Sequence, residues 1–179
     1  MRAYRPCQLF PTLMFAWLSG SAALADAPLQ QPEDWTACSP SGSFCAELVV
    51  ANDRTTVLKD GQPLWRMKGW FRDANLADDG EHVVVGYDGL NLLQPDYRSD
   101  MPMLTFWRRD AIVREVPLSD VIADFAKLER TVSHFRWGHT VGFDREGRFL
   151  VHTIENRMLA FEVETGNLIE VRPVIYPGH

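Results

Sequence analysis

One local pattern occurs three times in this chain, and it limits the fold more than any other feature. In Leu76–Tyr87 (LADDGEHVVVGY) a small or acidic residue opens a tight turn, a glycine closes it, and an apolar-rich run of strand length follows at once. Cys38–Leu48 (CSPSGSFCAEL) is an earlier copy and Phe143–Thr153 (FDREGRFLVHT) a later one. Ser39, Ala77 and Asp144 start the three turns, while Gly42, Gly80 and Gly147 stand where a backbone with φ > 0 is needed. Repetition of this kind predicts successive β units built alike.

The residues around each copy extend the pattern. Trp35–Cys38 and Ser43–Ala51 read as strands, and Asn52-Asp53 turns the chain into Thr55–Lys59, whose β-branched residues favour extended backbone. Asp60-Gly61, a strong hairpin dipeptide, returns it as Pro63–Met67. The second copy starts near Arg72, runs through Glu81–Tyr87 and turns at Asp88-Gly89 into Leu90–Leu93. A polar loop with two prolines, Gln94–Pro102, interrupts it before a hairpin of Met103–Arg108 and Ala111–Val116. After Pro117 the spacing predicts a helix over Ser119–Arg130. Ser119 would be its N-cap, Asp120 would favour its positive end, and Leu118, Val121, Ile122, Phe125 and Leu128 would form one buried face. Asp124, Lys127 and Glu129 fall on the other, solvated side. The third copy supplies Thr140–Phe143, Arg148–Thr153, Met158–Glu162 and Leu168–Arg172.

The turns Ser39-Pro40-Ser41-Gly42, Ala77-Asp78-Asp79-Gly80 and Asp144-Arg145-Glu146-Gly147, with the stretch Phe161–Gly166 (FEVETG), resemble the blade turns of WD40-like and related bacterial repeat propellers. The resemblance implies an all-β fold with one helix, in which three four-stranded antiparallel meanders form an open, propeller-like arc. Closed propellers have about four to eight blades, so three blades imply an open arc or a ring completed by a second copy. A single antiparallel barrel or sandwich is the alternative fold. On this reading residues 26–34 are a flexible lead-in and residues 35–172 one β domain with a helical insertion at 118–131. Residues 173–179 are a tail.

The first 25 residues read as a signal peptide. Arg2 and Arg5 give a positive start, Leu9–Leu18 is an apolar run too short to span a membrane comfortably, and Ala23-Leu24-Ala25 offers small residues for cleavage. The expected location is periplasmic or secreted. Removing this segment takes eighteen basic residues to sixteen against twenty-four acidic, so a net charge of −6 becomes −8. That balance disfavours nucleic acid and anionic membrane surfaces and suits a basic protein partner. Cys7 leaves with the signal peptide. Cys38 and Cys45 then flank the first turn and are expected to form a disulfide in an oxidising compartment.

No reaction motif is written in the sequence, so chemistry must come from constellations. His134 and His139 flank Trp137 and His152 follows on the next hairpin; zinc would accept three histidines. Strand alternation sends neighbours to opposite faces, and no carboxylate is spaced to help, so no metal and no cofactor is assigned. Asp73, Asp78, Asp79 and Glu81 cluster around one turn, which reads more simply as turn chemistry than as a calcium loop. Paired carboxylates for glycoside hydrolysis would have to come from Asp96, Asp100 and Asp124.

The aromatics Trp65, Trp70, Phe71, Trp107, Phe135 and Trp137 belong mostly to the core. The binding candidates are Asp96, Tyr97, Arg98 and Asp100, which mix an aromatic, a cation and two anions on one exposed loop. The expected function is an exported, non-enzymatic protein-binding module. Its concrete form would be a periplasmic immunity or inhibitor protein against a cell-wall-targeting toxin. Two other classes compete: a small hydrolase using carboxylates or the His134, His139 and His152 group, and a structural subunit that completes a ring by oligomerisation with its own copies, of which a homodimer is one form.

Overall fold

The three glycine turns and their strands assemble into separate antiparallel sheets in the computed structural model, which describes residues 29–175. The residues read as a signal peptide, the start of the expected lead-in and the end of the expected tail lie outside the described residues. Gly42, Gly80 and Gly147 take φ of 73°, 67° and 77°, and each donates its amide to the carbonyl three residues earlier, on Ser39, Ala77 and Asp144. One turn geometry is thus built three times.

Blade 1 is a meander of β1 (Trp35–Cys38), β2 (Phe44–Val49), β3 (Arg54–Lys59) and β4 (Gln62–Lys68), in that spatial order. Alternation buries Ala37, Ala46, Leu48, Val57 and Met67 on one face. The opposite face carries the cross-strand row Thr36, Glu47, Thr56, Arg66. Cys38 and Cys45 pair across β1 and β2 on that second face and are joined by a disulfide.

Blade 2 comprises β5 (Ala74–Leu76), β6 (His82–Gly86), β8 (Pro102–Arg108) and β9 (Ala111–Pro117). Blade 3 comprises β12 (Gly138–Phe143), β13 (Phe149–Thr153), β14 (Arg157–Phe161) and β15 (Leu168–Pro173). Blade 2 is the middle layer, which explains its unbroken Val83-Val84-Val85. Val83 packs into the cluster shared with blade 1, and Val84 into the larger cluster shared with blade 3. Phe106 meets Phe149 and Phe161 of blade 3 at centroid distances of 6.2 and 5.8 Å. At the inner strands, Thr140 Oγ1 donates to Asp73 Oδ2 at 2.6 Å, joining blade 3 to blade 2. The fold is all-β with one short helix, an open propeller-like arc of three four-stranded blades, and none of the sheets closes into a barrel.

Two expectations need correction. Leu90–Leu93 does not continue blade 2: Leu90 adopts φ of 55°, which ends any extended run, and only β7 (Leu92–Leu93) is strand. It pairs instead with β11 (Phe135–Arg136), itself paired to β10 (Glu129–Arg130), in a fourth sheet of three short strands. The helix expected over Ser119–Arg130 is one α turn, α1 (Leu118–Val121), followed by a 3-10 turn at Phe125–Lys127. Pro117, not Ser119, holds the N-cap position, without a side-chain cap. The reason lies in blade 3. The side chain of Glu155, only 3% exposed, takes the amides of Ala123 and Asp124 at 3.0 Å each, and Arg157 pairs with the same carboxylate. Those amides are what a continuing helix would use. The apolar spacing survives: Leu118, Val121, Ile122 and Leu128 are buried and Phe125 is half-buried.

Candidate functional site

Antiparallel connectivity gives the arc two ends. The three glycine turns lie at one end. The connections that interrupt the repeat, including the fourth sheet, α1 and the loop 94–102, gather at the other, the insertion end. Trp137, 1% exposed, ties this end together by donating Nε1 to the Leu90 carbonyl at 2.6 Å.

The loop itself is internally braced. The Tyr97 amide donates to the Gln94 carbonyl and the Met101 amide to the Arg98 carbonyl, making two successive turns. The amides of Leu118 and Ser119, in α1, donate to the carbonyls of Met101 and Ser99. Tyr97 is not a free surface aromatic as expected. Its ring stacks on Phe125 (centroids 6.1 Å, planes 7° apart) and meets the edge of Phe135 at 5.5 Å. It is the loop's anchor to the core.

Asp96, Arg98 and Asp100 remain exposed around that anchor. Arg98 grips Asp100 in a two-pronged pair, Nε to Oδ1 at 2.9 Å and Nη2 to Oδ2 at 2.5 Å. The hydrogen bond from Arg98 holds the Asp100 carboxyl below the usual aspartate range. In the neighbouring turn, burial and then the negative charge of Asp88 push the Tyr87 phenol up.

The other sequence candidates are dispersed. The four acids around the second turn each have their own partners. Asp73 accepts from Thr140 and Asn75, Asp78 from the Ser41 amide, and Asp79 from the Glu81 and His82 amides and the His82 ring. Glu81 pairs with Arg108 and Arg109. Of the three histidines, His139 and His152 face each other across β12 and β13, ring centroids 5.3 Å apart. His134 belongs to the turn between β10 and β11, where its ring meets Ser133. Burial, then the neighbouring His139, lowers the His152 pKa below the ordinary imidazole value.

Three tryptophan N–H groups are spent on local carbonyls, Trp35 on Phe71, Trp65 on Gly80 and Trp70 on Glu33. The sequence reading missed Phe125 and Phe135 as the walls that position Tyr97. Both follow the loop in sequence, beyond β8, β9 and α1, so no local signal announced them.

At the opposite end the three turns surround a depression of about 510 Å³ lined by Pro40, Ser41, Asp78, Asp144 and Arg145 among others. Its carboxylates serve the turns. Hydrogen bonds from Ser41 lower Asp78, and burial raises Asp144 but the Arg148 side chain and two backbone amides outweigh it and hold it low.

No protein-family model and no curated protein sequence matches the chain. Among solved structures it is similar to the hydrazine synthase of Kuenenia stuttgartiensis, at 14% identity and a TM-score of 0.38, over 78% of this chain and 36% of that one. It is similar to the Cps50 (Swd1) β-propeller domain of Myceliophteria thermophila, at 13% identity and a TM-score of 0.37, over 78% and 43%. A luciferin-regenerating enzyme matches at 14% identity and a TM-score of 0.35, over 78% and 45%. The chain therefore spans less than half the length of each of these structures.

Proposed function

We propose that this chain is an exported, non-enzymatic protein-binding module that engages its partner through the loop 94–102. The supporting observation is the bracing of that loop. Tyr97 is held between Phe125 and Phe135 while Asp96, Arg98 and Asp100 stay in solvent. A loop already fixed in one conformation loses little entropy on binding, and exposed charge on a rigid scaffold is how recognition loops are built. The acidic balance of the mature chain steers a basic partner toward it, and the Cys38–Cys45 disulfide fits an oxidising compartment.

The finer form of the proposal is an inhibitor, an immunity protein that occupies a cell-wall-degrading toxin delivered by a rival cell. The ring-completing alternative meets a physical obstacle: a second copy docking on the free face of blade 1 would have to bury Glu47 and Arg66. The test is affinity capture from periplasmic extract, with the mature chain and with an Asp96→Ala/Arg98→Ala variant. A basic protein retained by the first and lost from the second is the expected result. Equal retention by both would place the interface elsewhere.

A further inference from the structure

A cleft of about 640 Å³ opens between the outer strands of blades 1 and 2, with no residue of the loop 94–102 in its lining. It is lined by Arg54, Arg66, Lys68, buried Met67, Trp107 and Asp110. That volume lies within the range of about 300–1,000 Å³ usual for small-molecule sites. Its charges are unusual for a protein with this net negative balance. Arg54 faces Lys68 directly across β3 and β4, and Arg66 lies two residues away on the same face of β4. Like charges placed opposite one another in a ladder destabilise the sheet. Among the described residues none of the three cations has an ion pair. The acid on the same cross-strand row, Glu47, is separated from Arg66 by Thr56. Asp53 at the mouth accepts the Trp70 amide at 2.9 Å. Asp110 stands across the cleft on the β8–β9 turn, so the walls carry a surplus of positive charge.

We propose that this cleft binds a small anionic sugar, with the phosphate or carboxylate held by Arg54, Arg66 and Lys68 and the ring lying against Trp107. Three cations at one rim of the cleft, on the face of β4 opposite Met67, suit a multiply charged oxyanion, and an indole wall suits the apolar face of a sugar ring. The Trp107 Nε1 is shielded from solvent and has no hydrogen-bond partner, so the indole contributes its ring and not its N–H. A depression of this volume favours a small ligand over an acidic protein surface, which would need a broad complementary face.

Calorimetric titration of the mature chain with glucose 6-phosphate, glucuronate, glucose and inorganic phosphate tests this. Both anionic sugars should bind, glucose should bind about tenfold or more weakly, and the affinity should fall as sodium chloride is raised. Arg66→Gln with Lys68→Gln should weaken the anionic sugars about tenfold or more. The same variant should melt at an unchanged or higher temperature, because it also removes the facing like charges. Arg54→Gln alone should weaken binding in the same direction. The proposal fails if neither anionic sugar binds below concentrations on the order of 10 mM, or if the double variant binds as the parent does. It fails equally if glucose binds as tightly as its phosphate, or if inorganic phosphate binds as tightly as glucose 6-phosphate.

Discussion

Replacing Tyr97 by alanine separates the part of the loop that supports from the part that is offered to a partner. The ring makes two aromatic contacts, one stacked on Phe125 and one edge-on with Phe135. Each such pair contributes about 0.5–1.5 kcal/mol beyond simple burial, and half-burial of the ring adds roughly 1 kcal/mol. The expected loss is therefore about 2–4 kcal/mol, close to but below the 3–5 kcal/mol typical of a fully buried phenylalanine. For a domain of this size that lowers the melting temperature by on the order of 5–15 °C. Urea unfolding followed by tryptophan fluorescence would read it as a shifted midpoint at unchanged slope. Tyr97→Phe keeps both ring contacts and should stay within about 0.5 kcal/mol. Arg98→Ala, which opens only a solvent-exposed pair, should leave the midpoint in place. If Tyr97→Ala moved the midpoint no more than Arg98→Ala, the ring would not be anchoring the loop, and the bracing invoked for recognition would be wrong.

Gly42 and Gly80 share a turn geometry but not surroundings: a Cβ at Gly42 meets nothing within 4 Å, whereas at Gly80 it would come 2.4 Å from the Phe44 ring. Both alanine variants incur left-handed backbone strain of roughly 1–2 kcal/mol, and Gly80→Ala should melt measurably lower than Gly42→Ala; equal melting would refute the contact. Cys38 and Cys45 close a loop of sequence separation 7; a Cys38→Ser/Cys45→Ser variant should lose about 2–3 kcal/mol in the chain-entropy account, and free thiols in the natively folded protein would overturn the assignment. Because the folded-state pKa of His152 lies below its unfolded value, the unfolded chain takes up that proton first as pH falls. Stability from this residue is complete above about pH 6.5 and declines below it, so the drop in melting temperature between pH 7 and 5 should be smaller in His152→Gln. The lowered carboxyls of Asp78, Asp79 and Asp144 act further down and are lost only below about pH 4.

Blades 1 and 3 were legible in the sequence because their strand contacts are local. A turn glycine, a hairpin dipeptide and alternating burial lie within a few residues of one another, and Trp35–Cys38 begins and ends where the residues suggest. The insertion was legible only as apolar spacing. The pattern of Leu118, Val121, Ile122 and Leu128 correctly marked what is buried, but not the backbone that buries it. Glu155, which claims the amides of Ala123 and Asp124, comes from another blade, and no local propensity could announce it. The same distance hid the departure of Leu92–Leu93 from blade 2, since its partner Phe135–Arg136 is supplied after α1. Composition marks Tyr97 as a surface binding candidate, and its contacts with Phe125 and Phe135 could not be read from it. The facing pair Arg54 and Lys68 was not legible either: the Asp60-Gly61 turn alone would set Arg54 opposite Met67, and a bulge between the Leu58–Pro63 and Val57–Trp65 pairs moves Lys68 into that place.

The small sheet of β7, β10 and β11 has a consequence for the order of folding. Blades 1 and 3 pair strands that follow one another closely, so their contacts need little loop closure and can form early. The pairing of Leu92–Leu93 with Phe135–Arg136 spans β8, β9 and α1, and it has no geometry to adopt until those elements are in place. Phe135, which closes that ladder, is also the edge against which Tyr97 rests. Completion of the small sheet and locking of the 94–102 loop are thus one late event on the folding path, and an unfinished chain presents assembled blades before it presents the loop.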